Sequence, residues 1–134
     1  MKQRRSFLGL MAAWVTGLAG RAQTPKPGPV KELARHALTG PQAGMEAILV
    51  EVTSMPGAPS TAHRHPGFVL GYVLDGEMRF AINGAAPQIV KTGTTFFEPL
   101  GALHSTGATA RPNEPVRFLA FIVAPKGSPV VIPA

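Results

Sequence analysis

The chain has 134 residues, 45% of them hydrophobic and none of them cysteine, so its length fits one domain with one core and disulfides are excluded. Its 13 basic and seven acidic side chains give a formal net charge of +6. The Lys and Arg residues are scattered along the chain, whereas a nucleic-acid-binding surface needs them clustered on one face, so the charge does not predict a nucleic-acid partner.

Residues 1–22 have the three parts of an export signal: a basic start, an apolar stretch over residues 7–19 and small residues up to Ala22. The apolar stretch is shorter than the roughly 20 residues of a membrane span, so we expect no stable membrane anchor after cleavage. Residues 4–8 (RRSFL) resemble the twin-arginine export motif, although Gln3 stands where Ser or Thr is usual; an ordinary secretory signal or an amphipathic anchor is the alternative. Either route predicts a periplasmic or secreted protein cleaved after Ala22.

Removal of the signal changes the charge. Lys2, Arg4, Arg5 and Arg21 lie in the signal and no acidic residue does, so the thirteen basic residues fall to nine against seven acidic ones. The remaining chain is therefore nearly balanced, with a net charge of +2. The high isoelectric point of the full chain comes mostly from the export signal and says little about partners.

The rest of the chain is interpreted as an extended leader over residues 23–34, followed by a single domain over residues 35–134. Residues 23–30 (QTPKPGPV) are rich in Pro and Lys, which favours an extended conformation. Residues 31–38 could form a helical turn or an edge strand, and the sequence leaves both open. Beyond Gly44 the apolar residues alternate with the period of two that is typical of β-strands.

Six strands are predicted from this alternation, at residues 45–54, 68–74, 77–82, 87–91, 93–98 and 115–125. Asn83-Gly84 is a hairpin signal, because both residues tolerate positive φ. The last strand is apolar on both faces, which predicts burial between two sheets. Five phenylalanines are expected in the core: Phe68, Phe80, Phe96, Phe118 and Phe121. Short strands separated by Gly and Pro indicate an all-β sandwich or barrel.

His63 and His65 are the first candidates for a functional site. In an extended segment residues two apart point to the same side, so both rings can face one metal ion. Alone, the pair is also consistent with two surface histidines. His36 lies far from this pair and is expected at the surface.

A second segment, residues 93–105, places a histidine just after a tight turn. Its fixed positions are Gly93, Pro99, Gly101 and His104. The first histidine pair has a matching frame, with Gly57 six residues before His63 and Gly76 eleven after His65. Together these positions resemble the two motifs of the cupin superfamily, over about residues 35–126. The resemblance implies a small antiparallel β-barrel of the jelly-roll type, with a metal in the barrel mouth held by His63, His65 and His104.

Two positions depart from the cupin motifs. The metal-binding Glu of the first motif falls at position 69, which is Val69, and the Asn of the second motif falls at Ala108. Glu98 is the nearest acid that could replace the missing carboxylate. We expect it to face the pocket as an acid or base beside the metal rather than as a ligand; a solvent-facing strand end is the alternative.

Three neutral imidazoles leave the charge of one divalent transition metal uncompensated and leave positions open for an anionic substrate. Iron is favoured, with manganese, nickel, zinc or copper as alternatives. The resemblance extends to three-histidine dioxygenases, which implies addition of dioxygen to a small enolisable or thiol substrate. The alternatives are a non-catalytic binding module and a non-oxidative isomerase or lyase with Glu98 as the catalytic base. The resemblance also allows a homodimer.

Overall fold

The computed structural model describes residues 25–134, so the expected export signal and the first two leader residues lie outside the described part of the chain. The described residues form ten strands: β1 (Val30–Ala37), β2 (Met45–Ser54), β3 (His63–Arg64), β4 (Phe68–Asp75), β5 (Glu77–Ile82), β6 (Gln88–Lys91), β7 (Thr95–Glu98), β8 (His104–Thr109), β9 (Val116–Pro125) and β10 (Ile132–Pro133). One 3₁₀ turn, Gly40–Gln42, follows β1. Within the described residues, no helix has the length and apolar character needed to cross a bilayer.

The strands form two five-stranded antiparallel sheets. The first sheet has the order β1-β2-β9-β4-β7, and the second has the order β10-β3-β8-β5-β6. Sequence neighbours such as β4 and β5 lie in different sheets, so the chain crosses repeatedly between them and both inner faces contribute to one core. The expected all-β, antiparallel architecture of the jelly-roll type is confirmed.

The core lies between the two inner faces. Its fully buried aliphatic members include Ile48, Val50, Val69, Val73, Met78, Val116 and Ile122. Phe96 stacks against Phe80 and Phe118, with ring centroids 5.0 and 5.6 Å apart. Gly71 leaves room for this cluster, because a Cβ at that position would lie 1.9 Å from the Phe96 ring. Burying each of these aromatic or aliphatic side chains stabilises the folded state by about 1.5–3 kcal/mol relative to leaving it exposed.

All six predicted strands are present, and those at 45–54 and 77–82 have the predicted bounds. Asn83 and Gly84 both have positive φ, and the amide of Ala85 donates to the Ile82 carbonyl at 3.0 Å, which confirms the hairpin turn. The segment left open between a helical turn and an edge strand is the edge strand β1. Residues 30–34 of the expected leader therefore belong to the first sheet.

Two of the five phenylalanines are not in the core. Phe68 and Phe121 are each 38% exposed, on the outer face of the first sheet. The expected burial of the last strand on both faces is therefore wrong for residues 25–134 taken alone. Phe118, Ala120 and Ile122 of β9 point inward, but the alternate side chains point outward, where no other described element covers them.

Candidate metal centre

The three motif histidines meet inside the barrel. His63 lies in β3, His65 directly follows it, and His104 is the first residue of β8. His63 and His104 are paired across the two strands. One ring nitrogen from each histidine lies within 4.8 Å of the others, and the Nε2 atoms of His63 and His65 are 3.2 Å apart. The structure thus brings together all three residues that the sequence predicted as ligands.

Backbone carbonyls fix which nitrogen of each ring carries a hydrogen. The three contacts are His63 Nδ1 to Thr61 at 2.8 Å, His65 Nδ1 to Val130 at 2.7 Å and His104 Nε2 to Thr106 at 2.9 Å. A carbonyl oxygen can only accept, so the ring nitrogen in each contact must donate. In a neutral ring the opposite nitrogen then has a free lone pair, which is the form that binds metals.

Burial keeps the deeper rings in that neutral form. Burial lowers the pKa of His65, and burial together with the nearby His63 ring lowers the pKa of His104 to about 4. The Nε2 atoms of His63 and His65 lie 3.2 Å apart and are both turned away from the carbonyls that hold the Nδ1 atoms, an arrangement that suits a cation bound by both rings. The residues fit a divalent transition metal.

Glu98 lies beside the same rings. Its side chain is 3% exposed, with Oε1 3.2 Å from His104 Nδ1 and Oε2 3.6 Å from His65 Nε2. Burial raises the pKa of this carboxyl to about 7. Since the rings are neutral near pH 7, these contacts are not ion pairs. Glu98 Oε2 and His104 Nδ1 have no hydrogen-bond partner among the described residues, which is a second sign that a cation belongs between them.

Glu98 lies next to Val69, the position where the first motif usually has its metal-binding Glu. Val69 on β4 is fully buried and is paired directly with Glu98 on β7. Paired residues in neighbouring antiparallel strands point to the same face, with Cβ atoms about 4.5–5.5 Å apart. The carboxylate that the first motif lacks is therefore present on the adjacent strand, at the opposite position. The solvent-facing alternative for Glu98 is excluded.

The histidines and Glu98 are among the residues that line a cavity of about 420 Å³. Much of its wall is aliphatic or aromatic: Val30, Val50, Val52, Phe118, Val130 and Val131. The polar remainder is a few Ser and Thr residues. Within residues 25–134, no Lys or Arg lines this cavity. The cavity can therefore hold a small apolar body but offers a substrate anion no cationic side chain.

The tail, residues 127–134, is part of the site although it lies outside both motifs. Its Val130 carbonyl accepts from His65, and β10 within it pairs with β3. The tail is held where it begins by Glu46, whose carboxylate accepts from the Gly127 amide at 3.1 Å and from Arg35. Sequence reasoning missed Val130 and Glu46, because no local pattern marks either residue.

The fold and the site together define a small antiparallel β-barrel protein with an inward-facing three-histidine centre. The family model Cupin_2, described as a cupin domain, matches residues 50–122. This is more than half of the chain, and the chain belongs to the cupin family. No curated protein matches the sequence at a significant level.

Three solved structures illustrate the likeness. An uncharacterised protein of Klebsiella pneumoniae with a double-stranded β-helix domain is 20% identical, with a TM-score of 0.61 over 77% of this chain and 81% of that one. A DMSP lyase of Ruegeria pomeroyi is 21% identical, with a TM-score of 0.52 over 75% of this chain and 51% of that one. An oxalate decarboxylase of Bacillus subtilis, described as having Mn(II) centres, is 19% identical, with a TM-score of 0.58 over 81% of this chain and 28% of that one. At these identities the likeness establishes the fold alone.

Proposed function

We propose that this cupin is an enzyme that holds one divalent transition metal through His63, His65 and His104 and adds dioxygen to a small enolisable or thiol substrate. The observation that carries the proposal is the set of three ring nitrogens, one from each histidine, that lie within 4.8 Å of one another in a largely apolar cavity. Each ring is fixed by a backbone carbonyl, so the site is organised for a metal before it binds one.

Iron is the proposed metal, because a dioxygenase needs a redox-active ion, but the donor set does not select it. Imidazole nitrogens also suit nickel, zinc and copper and, less well, manganese. The Mn(II) centres of the similar oxalate decarboxylase keep manganese among the candidates. When bound, the metal would supply Lewis acidity toward a chelating substrate and, if redox-active, the electron transfer that dioxygen needs.

The volume and the lining of the cavity indicate which substrates would fit. Its volume of about 420 Å³ suits a small molecule, and its aliphatic walls favour an apolar body. Because no Lys or Arg lines the cavity among the described residues, a phosphate or a second carboxylate would be buried without a cationic partner, at a high energetic cost. The substrate therefore has one anionic, chelating group, an enolate or a thiolate, and little other charge.

Glu98 provides the proton transfer that such a substrate needs. Its carboxylate faces the cavity and can accept the proton lost when a carbonyl compound enolises. In the overall reaction both oxygen atoms of dioxygen enter the organic product, so no external reductant is required. A thiol is converted in the same way to a sulfinate, with both oxygens on sulfur.

Metal content and oxygen uptake test the proposal. The purified protein should contain about one metal ion per chain, and His104→Ala should lose it. His36→Ala is the matched control, because His36 is exposed on β1 and far from the site in sequence and sheet. With Fe(II), uptake of dioxygen should match consumption of one member of a panel of diketones, flavonols and thiols. Protein without metal would refute the centre; metal without uptake would refute the dioxygenase and leave a binding module.

A second candidate is favoured by the buried carboxylate itself. Glu98 could take a proton from carbon while a leaving group departs with its bonding electrons, the reaction of a lyase, and one similar structure is a DMSP lyase. Dioxygen consumption separates the two candidates, because a lyase turns over without dioxygen and a dioxygenase does not. Assayed at saturating metal, Glu98→Gln should abolish the lyase reaction, whereas a dioxygenase that acts on a thiol should keep its activity, because a thiol needs no deprotonation at carbon.

We further propose that the protein is exported to the periplasm or secreted, on the strength of residues 1–22. Protein recovered from the periplasmic fraction should begin at Gln23. Changing Arg4 and Arg5 to Lys keeps the charge and should stop export by the twin-arginine route but not by an ordinary secretory route. Full-length protein confined to the cytoplasm of wild-type cells would contradict export by either route.

A further inference from the structure

We infer that the hydroxyl of Ser60 donates a hydrogen bond to a substrate oxygen, so that the site prefers an enolisable dicarbonyl compound to a simple thiol. Ser60 lies in the loop between β2 and β3, and it lines the cavity that also contains Glu98 and the three histidines. It is one of the five residues between Gly57 and His63 that the first cupin motif leaves unspecified. Because the substrate would bind at the same metal centre, this role of Ser60 rests on the proposed function.

The loop holds the backbone of Ser60 from both sides. Before Ser60, the amide of Ala58 donates to the Met55 carbonyl at 3.1 Å and closes a turn. After Ser60, the Thr61 carbonyl accepts from Nδ1 of the His63 ring at 2.8 Å. Ser60 therefore lies between a closed turn and a residue that contacts a candidate metal ligand.

The hydroxyl oxygen of Ser60 is fixed by β8. The amide of Gly107 donates to Ser60 Oγ at 2.8 Å. This amide is available because β3 meets β8 only through the His63–His104 pair, so no described strand pairs with Gly107 on the side away from β5. Gly107 in turn lies against the candidate ligand His104, since a Cβ at Gly107 would be 2.7 Å from that ring. The hydroxyl is therefore held beside a residue that contacts the metal centre.

The hydrogen of the Ser60 hydroxyl is available to a ligand. A serine hydroxyl has one hydrogen to donate and two lone pairs that accept. One lone pair of Ser60 accepts from Gly107, and residues 25–134 offer no acceptor within hydrogen-bond distance for the hydrogen. The other hydroxyls of the cavity lining belong to Thr53, Ser54 and Thr61, and no hydrogen bond to a described residue fixes them. Ser60 differs from them because its oxygen is fixed while its hydrogen can still be donated to a molecule in the cavity.

A fixed neutral donor suits an enolate better than a simple thiolate. A dicarbonyl compound that has lost a proton spreads one negative charge over two oxygens, and either oxygen can accept a hydrogen bond strengthened by that charge. An alkyl thiol has no oxygen, so it gains nothing from Ser60. Because no Lys or Arg lines the cavity among the described residues, the Ser60 hydroxyl supplies a polar contact to the substrate oxygen without a full positive charge.

Binding of two small probes tests the role of Ser60. The protein is loaded with Fe(II) under anaerobic conditions and titrated by calorimetry with pentane-2,4-dione, an enolisable dicarbonyl, and with propane-1-thiol. Ser60→Ala should raise the dissociation constant of the dione about tenfold and that of the thiol by less than about twofold, because only the dione loses a hydrogen bond to a charged oxygen. Ser60→Thr keeps the hydroxyl and should restore dione binding. Ser54→Ala is the matched control, since it removes a hydroxyl of the same cavity lining and should leave both affinities unchanged.

The two probes separate binding by Ser60 from a structural effect. Metal content and circular dichroism are measured before and after each titration, and Ser60→Cys, a weak donor of similar size, is the second variant if Ser60→Ala does not fold. If Ser60→Ala weakens both probes equally, it acts through Gly107 and β8, and the inference is wrong. Metal-loaded wild-type protein that does not bind the dione, or equal effects of Ser54→Ala and Ser60→Ala, would also overturn it. Since the titrations need no turnover, protein that binds the dione through Ser60 but consumes no dioxygen would refute only the dioxygenase.

Discussion

The two strands that carry the histidines are held in place differently. β8, with His104 at its start, pairs with β5 over five residue pairs. β3 has two residues and meets β8 only through the His63–His104 pair; its other side is held by β10. His104 is thus positioned by an extended pairing with β5, with a register shift between Thr106 and His104, whereas His63 and His65 are positioned largely by the tail. Two of the three histidines of the candidate metal centre therefore depend on a segment outside both cupin motifs.

Deleting the tail, residues 127–134, should have the largest effect on the centre. The deletion removes the carbonyl that orients His65 and the strand that pairs with β3. Loss of such supporting contacts costs about 10–100-fold in metal affinity, and this deletion removes two of them, so we expect the upper end of that range. A competition titration with a chromophoric chelator measures the affinity, and deletion of Ala134 alone is the control.

Nuclear magnetic resonance of ¹⁵N-labelled histidine would show which side of the centre fails. In the shortened chain the hydrogen on His65 Nδ1 should no longer be hydrogen-bonded to the Val130 carbonyl. His104 should keep the hydrogen on Nε2 that it donates to the Thr106 carbonyl. If the deletion leaves metal affinity unchanged, or disturbs both rings equally, then β3 does not depend on the tail more than β8 does, and the inference is wrong.

Exchanging Val69 and Glu98 tests the β7 side of the centre. Glu98→Val alone should weaken metal binding by about tenfold or more, because it removes the carboxylate beside His65 and His104. Adding Val69→Glu returns a carboxylate to the paired position on β4, and the double variant should recover most of the affinity. Val69→Glu alone places two carboxylates opposite each other and should lower the melting temperature of the metal-free protein.

The double-mutant cycle gives the decisive comparison. Recovery in the exchange variant means that the carboxylate is needed near the rings, whichever of the two strands carries it. If the exchange variant binds metal no better than Glu98→Val, the carboxylate must come from β7. A carboxylate at position 69 then cannot replace the one at position 98.

Gly107→Ala disturbs β8 without changing a residue of β3. A Cβ at Gly107 would lie 2.7 Å from the His104 ring, which is held by the Thr106 carbonyl and cannot simply move aside. We expect metal affinity to fall by about tenfold, in the lower part of the range for supporting contacts. Ala108→Ser is the control, because its side chain lies on the opposite side of the same strand. Equal affinities for the two variants would show that β8 tolerates more distortion than its pairing implies.

Local patterns in the sequence predicted six of the ten described strands, and the motif resemblance indicated the three histidines. The strands β3, β8 and β10 were not predicted. The two motifs consist of turn-forming residues and of strands with alternating side chains, and both features depend on residues that are close in sequence. The place of Glu98 opposite Val69 could not be predicted, because it depends on the register between strands that are distant in sequence, and strand parity does not carry across Pro99. Likewise, the alternation along β9 distinguishes its two faces, but it does not tell which face is covered when both are apolar. The prediction that Phe121 lies in the core is wrong for this reason.

The smallest expected effect comes from the contact that anchors the tail. Glu46 is 4% exposed and binds both the Gly127 amide and Arg35, whereas Glu32 binds the same Arg35 at an exposed position. Glu46→Gln keeps the shape but weakens a charge-assisted contact, worth about 1.5–3 kcal/mol when lost entirely. We therefore expect a lower melting temperature and a few-fold loss of metal affinity, with neither change in Glu32→Gln. Because an exposed pair contributes little, equal behaviour of the two variants would mean that Arg35 is held without Glu46 and that the tail keeps β3 in place through Val130 and β10 alone.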